Sequence, residues 1–308
     1  MPCMLYNNRS GCVTIKQKKK KKVVKVKNPP MLGGSSSNKI VGAWSQTISC
    51  GIDSFDYISL SSALPQNYTI NPLNSVKYEE IENRYNFFFG GVGNLVGKDV
   101  SAITGYYRNA QKDSINNPTF KGYFISIGGS RATRQGWNTF IKLIWNNNNE
   151  ITNLLNACKC RNIVGIDWDV EPSGELTLDI VSKIKDISKQ IKTINNGFKI
   201  MFSILVGQPI MWGPLITESD SSHYDYLTLM VYNGGMFTDD NIEHNGGCTW
   251  KEWAKMYLTN GRSDYKPKCM GNIKPPQLKN IDPSKIIIGL RFDDAYNFPA
   301  NREIYIEA

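Results

Sequence analysis

An alternation of acidic and apolar residues at 162–172 constrains the fold of this chain more than any other segment. Asp167, Asp169 and Glu171 stand at every second position, and the residues between them are apolar. Side chains two residues apart share one face of a β-strand, so the pattern predicts a strand with three acids on one face. A proline follows at once, which places Glu171 at the carboxyl end of that strand.

Three acids in a row on one strand face indicate acid–base chemistry. Like charges that lie close together cannot all ionise freely, and burial adds to this effect, so their pKa values spread apart. Sites that carry out proton transfer use such shifts. The alternative is a solvated edge strand with its acids in water, and the tryptophan at position 168 on the opposite face argues against it.

From about residue 85 onward, predicted strands alternate with predicted helices. Strands are predicted at 39–44, 55–60, 85–89, 123–127, 162–171, 198–206, 224–232 and 285–290. Helices are predicted at 99–112, 137–145, 151–157, 176–194 and 250–258. The strands are nearly continuous apolar runs, as buried parallel strands are, and glycine or polar residues follow several of them. The pattern predicts an α/β fold, a (β/α)8 TIM-type barrel with its site at the carboxyl ends of the strands.

Four segments carry a resemblance to a known family. The strand at 164–171, Val-Gly-Ile-Asp-Trp-Asp-Val-Glu, resembles the Asp-Gly-x-Asp-x-Asp-x-Glu signature of glycoside hydrolase family 18, the chitinases and their relatives. Further segments resemble the family's motifs in the same order: Ser126–Gly129, Met230–Asn233 and Lys285–Leu290, with shorter likenesses at Ala43–Gln46 and Gly207–Pro209. The shorter ones are nearest to the small plant and fungal branch.

The resemblance implies a role for each acid in hydrolysis of β-1,4-linked N-acetylglucosamine glycans such as chitin. Glu171 is implied as the general acid, Asp169 as the holder of the substrate's 2-acetamido group, and Asp167 as the support of Asp169. Tyr232 is implied to bind the acetamido carbonyl, with Asn233 beside it. The acetamido oxygen is the nucleophile in this family, so the reaction is substrate-assisted and retaining.

Further substrate contacts are expected at residues in these motifs or just past strand ends: Met230, Trp44, Gln208, Trp212, Gly128 and Gly129. No metal site or cofactor is implied. The only two histidines, His223 and His244, are expected to be structural or exposed.

The sequence also departs from the family pattern. Val164 stands where the family has its first Asp, which we interpret as the loss of one buried acid from the row. The family's eighth strand, with its tryptophan, has no clear counterpart after Gly289, so we expect the barrel to be incomplete or atypically closed at its C-terminal end. These departures keep a second hypothesis open: a glycan-binding protein on the same scaffold, with weak or lost hydrolysis.

The first 38 residues are predicted to be a disordered basic tail with a Pro/Gly/Ser linker, followed by the barrel at 39–308. The net charge is +9, but nine Lys and one Arg fall within residues 1–39, so the rest is close to neutral. The Lys16–Lys27 segment supports a third hypothesis, binding of nucleic acid or an anionic surface. No aromatic residues lie among these lysines, which disfavours a platform for stacking single-stranded bases.

Composition gives further expectations about location. No secretory signal and no apolar run long enough to span a membrane is visible, and the seven scattered cysteines are therefore expected to be reduced. A cytoplasmic or virion-associated protein is the default, and the lysine run allows a nuclear one. The abundance of Asn, Ile and Lys suggests an AT-rich genome, such as a viral one.

Overall fold

The computed structural model describes residues 42–45, 56–68, 85–86, 88–92, 98–116, 120–171, 177–205, 221–230, 257 and 281–289. Within these ranges seven strands form one sheet: β1 (Gly42–Ser45), β2 (Tyr57–Ala63), β3 (Gly122–Gly128), β4 (Ile163–Asp169), β5 (Lys199–Leu205), β6 (Tyr226–Met230) and β7 (Ile286–Gly289). Neighbouring strands are parallel and follow one another in chain order.

Four helices are described in full: α1 (Val100–Asn116), α2 (Arg134–Ile144), α3 (Asn148–Cys160) and α4 (Leu178–Ile194). Single 3₁₀ turns lie at Pro65–Asn67, Ser221–His223 and Pro283–Lys285. Side chains of Thr133, Asn147 and Thr177 accept hydrogen bonds from backbone amides in the first turns of α2, α3 and α4. These caps explain where the three helices begin. None of the described helices has the length and apolar character needed to cross a membrane.

The sheet is strongly curled. The rings of Tyr57 and Tyr226 come from β2 and β6, four strands apart, yet their centroids are 5.7 Å from each other. A flat sheet would place those strands about 19 Å apart, at roughly 4.8 Å per strand. Curling of parallel strands in chain order, with helices between them, is the architecture of a (β/α) barrel. The described strands leave that barrel open, since β1 and β7 are its edges.

The two faces of the sheet have different compositions. The core face packs against the helices, and its residues are large and apolar: Ile58, Leu60, Tyr123, Ile125, Ile127, Ile166, Trp168, Ile200, Phe202, Ile204, Leu227 and Leu229. The site face carries the alternate residues of the same strands. They are mostly small or polar towards the carboxyl ends, and they include Ser59, Ser126, Asp167, Asp169, Ser203 and Thr228. The expected period of two is therefore present in every central strand.

The prediction of a strand at 85–89 is wrong. Residues 85, 86, 88 and 89 are helical. The ring of Phe88 stacks on Phe140 of α2 at 5.6 Å, and that of Phe89 lies against Tyr107 of α1 at 5.7 Å. A short aromatic run has no periodicity that separates a buried strand from a buried helix, which explains the error. Without this segment, the eight predicted strands become seven.

A β-bulge changes the meaning of Val164. Tyr123 pairs with Ile163 and the next residue, Phe124, pairs with Gly165, so Val164 is an extra residue in β4. The bulge lies at the amino end of the strand, and Val164 contacts Gly122, whose added Cβ would lie 2.6 Å from it. Position 164 is therefore outside the row of acids, and the interpretation that valine removes an acid from that row is wrong.

The expectation that all thiols are reduced is wrong for Cys160, which is disulfide-bonded. Cys158, the only other described cysteine, is free and buried. Residues two apart on a helix do not face each other, so Cys158 and Cys160 could not form a disulfide with each other. The partner of Cys160 lies outside the described residues. His223 is buried against Phe202 and Tyr224, in agreement with a structural role, whereas His244 lies outside the described residues.

Candidate active site

The row of acids lies on the central strand of the seven. Asp167 and Asp169 are the last two site-face residues of β4, and Glu171 follows two residues after the strand ends. Exposure falls with depth, since Asp167 is 0% exposed, Asp169 8%, and Glu171 only half-buried. The sequence prediction of three acids on one face at the carboxyl end is consistent with this arrangement.

Asp167 is held by two hydroxyl groups from other strands. Ser59 Oγ of β2 donates to Asp167 Oδ2 at 2.7 Å, and Ser203 Oγ of β5 donates to Oδ1 at 2.6 Å. Hydrogen bonds to both carboxylate oxygens favour the charged form of a buried acid. Sequence reasoning missed both serines. The available signal was a small polar residue at an alternate position within an apolar strand.

Asp169 has the opposite environment. Its Oδ1 is buried and has no hydrogen-bond partner among the described residues, and the same is true of Ser126 Oγ. Burial raises the pKa of Asp169 well above its usual range, and the nearby charges of Asp167 and Glu171 raise it further. Ser126 lowers the pKa of Asp169, and its effect is smaller than those of burial, Asp167 and Glu171. The surroundings of Asp169 therefore favour its neutral, protonated form.

Glu171 is suited to proton donation. Burial raises the pKa of its carboxyl group, and the nearby backbone N–H of Ser130 opposes the rise. A general acid must be protonated near the working pH, and an upward shift extends the range in which it is. Glu171 lies nearest to solvent of the three acids, where a substrate would arrive.

The turn after β3 holds the end of β4. Gly129 N–H donates to Asp169 O at 2.7 Å, and Glu171 N–H donates to the same oxygen at 3.2 Å. Gly128 and Gly129 have φ angles of +121° and +78°, and a Cβ at Gly128 would lie 2.1 Å from Asp169 O. Glycine is thus required for the close approach of the two strands. These two glycines were predicted to bind substrate, and the contact that the structure gives them is with Asp169.

An aromatic layer lies on the site face at the amino ends of the strands. Phe124 lies edge-on to Tyr57 at 5.2 Å and is 6.1 Å from Tyr226. Gly165 makes room for this layer, since an added Cβ there would lie 2.4 Å from Phe124. The layer occupies the site face one step below Asp167, since Phe124 and Gly165 are each two residues before Ser126 and Asp167 on β3 and β4.

The other predicted site residues divide into two groups. Met230 ends β6, where it is buried and paired with Leu205 and Gly289. Trp44 lies in β1 at the position paired with Ser59. The remaining predictions lie outside the described residues: Tyr232, Asn233, Gln208 and Trp212. In the ranges that the structure describes, no group of three His, Cys, Asp or Glu side chains could hold a metal ion.

Comparison with known proteins supports the fold. A scan against protein-family models and a search of curated proteins gave no match. A chitinase-like agglutinin from Robinia pseudoacacia superposes with a TM-score of 0.50 at 13% identity, over 82% of this chain and 69% of that one. A GH18 chitinase from Pseudoalteromonas aurantia gives 0.47 at 11% identity, over 83% and 81% of the two chains. The chitinase domain of the spore coat protein CotE from Clostridium difficile gives 0.43 at 15% identity, over 86% and 69%. At 13% identity the likeness to the agglutinin shows a shared fold, which agrees with the (β/α) barrel architecture of the described strands.

Proposed function

We propose that this protein hydrolyses β-1,4-linked N-acetylglucosamine glycans, such as chitin, by substrate-assisted retaining catalysis. One observation carries the proposal: two acids with raised pKa values, Asp169 and Glu171, follow a hydrogen-bonded Asp167 at the carboxyl end of the central strand. The resemblance of 164–171 to the family 18 signature gives this geometry its substrate class.

In the first step, the proton on Glu171 passes to the glycosidic oxygen as the bond from that oxygen to the anomeric carbon breaks. The carbonyl oxygen of the substrate's own 2-acetamido group forms the new bond to the anomeric carbon. The acetamido nitrogen gains positive character, and Asp169 holds its N–H. Asp167 keeps a negative charge beneath, fixed by Ser59 and Ser203. Tyr232 and Asn233 are predicted to bind the acetamido carbonyl.

In the second step, water attacks the anomeric carbon and the bond to the acetamido oxygen breaks. Glu171, now ionised, takes the proton of that water and returns to its starting state. Two displacements at one carbon leave its configuration unchanged, so the product retains the β-anomer. No protein side chain becomes covalently attached, which fits a site where both carboxylates beneath Glu171 are engaged by the fold or by the acetamido group.

The test is hydrolysis of a chromogenic N-acetylglucosamine oligomer by the wild type and by Glu171→Gln. Loss of a general acid is expected to lower kcat at least about 100-fold. Asp179→Asn is a matched control, because Asp179 is an exposed acid of α4 paired with Lys183 at 2.8 Å. Equal rates for the wild type and Glu171→Gln would end the proposal of hydrolysis.

A second candidate is a glycan-binding protein with little or no hydrolysis. The observation that favours it is the fold shared with a chitinase-like agglutinin. Isothermal titration with N-acetylglucosamine oligomers separates the two candidates. Saturable binding by the wild type with no release of product favours the binding protein, whereas tight binding by Glu171→Gln with turnover only in the wild type favours the enzyme.

A further inference from the structure

One turn lies against the segment that carries Asp169 and Glu171. This turn, Gly129–Thr133, is closed by Ala132 N–H donating to Gly129 O at 2.9 Å. At one end, Gly129 N–H donates to Asp169 O at 2.7 Å, and Glu171 N–H donates to the same oxygen at 3.2 Å. The backbone N–H of Ser130, in the same turn, lowers the pKa of the Glu171 carboxyl group. The position of Glu171 therefore depends on the position of this turn.

The turn itself is held from its other end by one side chain. Gln66 Nε2 donates to the backbone oxygen of Arg131 at 3.0 Å. The same amide group accepts at Oε1 from Thr133 N–H at 3.4 Å. Glutamine uses its donor and its acceptor together here, so one residue fixes two backbone positions of the turn.

Gln66 is itself held on a rigid support. It lies in the 3₁₀ turn after β2, next to Tyr68, whose hydroxyl donates to Glu150 of α3 at 2.9 Å. The Tyr68 ring packs edge-on against Phe140 of α2 at 5.0 Å. Gly136 in α2 lets Gln66 approach, since an added Cβ would lie 2.7 Å from Gln66 Oε1 and 2.8 Å from its backbone nitrogen.

We propose that Gln66 is a positioning residue for Glu171, which it holds in place through the Gly129–Thr133 turn. The inference rests on the proposed function, because it assigns Gln66 a part in proton donation by Glu171. It is also distinct from a general stabilising role. The two hydrogen bonds of Gln66 end on the turn, not on either acid, and the turn holds the Asp169 carbonyl oxygen that also accepts from Glu171 N–H.

Gln66→Met keeps the length of the side chain and removes both hydrogen bonds. We expect kcat to fall about fivefold, the factor that one ordinary hydrogen bond supplies, with KM little changed. The Ser130 N–H lowers the pKa of Glu171, so a loosened turn lets that pKa rise and moves the alkaline limb of the pH–rate profile to higher pH. Gln66→Glu keeps the acceptor and loses the donor, so its shift should have the same sign and a smaller size.

The matched control is Gln190→Met. Gln190 of α4 also joins two separate parts of the chain, since its Nε2 donates to Asn146 Oδ1 at 3.2 Å on the exposed surface. This variant should leave kcat and the pH–rate profile unchanged. An equal loss of kcat in both variants, with no shift of the alkaline limb, would overturn the positioning role.

A readout without catalysis separates this inference from the proposed function. Titration of ¹³C-labelled glutamate by NMR, with Glu171 assigned from Glu171→Gln, reports the pKa of Glu171 directly in the full chain. Gln66→Met should raise the pKa of Glu171. Gly136→Ala, which changes the other partner of the Gly136–Gln66 contact, should raise it as well. If the wild type shows no turnover, the hydrolase proposal fails while this titration still decides the role of Gln66. An unchanged Glu171 pKa in two folded variants would overturn it.

Discussion

Ser203 Oγ lies 2.6 Å from Asp167 Oδ1 and donates a hydrogen bond to it across two neighbouring strands. Ser59 Oγ donates to the other oxygen, so both carboxylate oxygens of Asp167 accept a hydrogen bond from a neighbouring strand. Asp169, two residues later, has a buried oxygen without a described partner and a raised pKa. The two buried acids thus differ in hydrogen bonding, because serines contact both oxygens of Asp167 whereas Asp169 Oδ1 has no described partner.

Ser203→Ala is expected to destabilise the fold by about 1.5–3 kcal/mol, because it removes a donor from a buried charged group. Ser188→Ala is the matched control, since the Ser188 hydroxyl is equally buried but donates to the neutral carbonyl of Ile184 at 2.8 Å. It should cost only about 0.5–1.5 kcal/mol. Urea unfolding measures the free energy of unfolding of both variants. Equal losses would show that the hydrogen bond from Ser203 to Asp167 contributes no more than one to a neutral carbonyl.

Asp169→Asn is expected to stabilise the protein at neutral pH and hardly at all at pH 4. A raised pKa means that the folded state binds this proton more tightly than the unfolded chain does. Stability is therefore lost as pH rises from the usual Asp value, about 3.9, towards the raised one. The variant carries no such penalty, so its Tm should exceed that of the wild type by on the order of a few °C at pH 7.

The same pair of melting curves can contradict the assignment of the proton. A gain in Tm that is the same at pH 4 and pH 7 would mean that Asp169 is ionised in the folded protein throughout. Asp179→Asn serves again as the exposed control, and its Tm difference should not grow with pH.

Gly128→Ala is expected to lower stability by at least about 2 kcal/mol and to abolish turnover. Its Cβ would collide with Asp169 O at 2.1 Å, and its φ of +121° is strained for any side chain. Gly105→Ala is the control within α1, where an added Cβ meets nothing within 4 Å, and it should gain about 0.5–1 kcal/mol. Thermal unfolding compares them, and tolerance of alanine at 128 would contradict the tight contact.

Val164→Asp introduces the residue that the family 18 signature has at this position and is not expected to raise turnover. The bulge places this half-buried position beside Gly122, away from the three acids. A carboxylate there should instead cost about 1–3 kcal/mol of stability. Val164→Asn separates polarity from charge. A clear increase in kcat with aspartate alone would show that position 164 communicates with the site after all.

Deletion of residues 1–38 tests the separate prediction for the basic tail. If Lys16–Lys27 binds nucleic acid, the full chain should be retained on a DNA column and released by salt, since each phosphate contact displaces counterions. The shortened chain should elute with the void volume. Equal retention of both forms would contradict the prediction, and hydrolysis of glycan oligomers by the shortened chain would show that it still folds.

Local patterns predicted the parts of the fold that depend on neighbours in sequence. The acids of β4 follow a period of two, and α4 follows a helical spacing of apolar residues, so both were predicted close to their observed bounds. The serines that hold Asp167 lie 108 and 36 residues from it along the chain, and no local pattern joins them. The bulge at Val164 depends likewise on the pairing of β3 with β4, which only the folded sheet reveals.

The separation of the core face from the site face has a consequence for how such a protein changes over evolutionary time. Stability comes mainly from the large apolar residues against the helices, while chemistry depends on serines, glycines and carboxylates on the reverse of the same strands. A substitution on the site face can cost stability without displacing the large apolar residues on the opposite face. A few replacements among the polar residues can therefore change what the site does while the scaffold is retained.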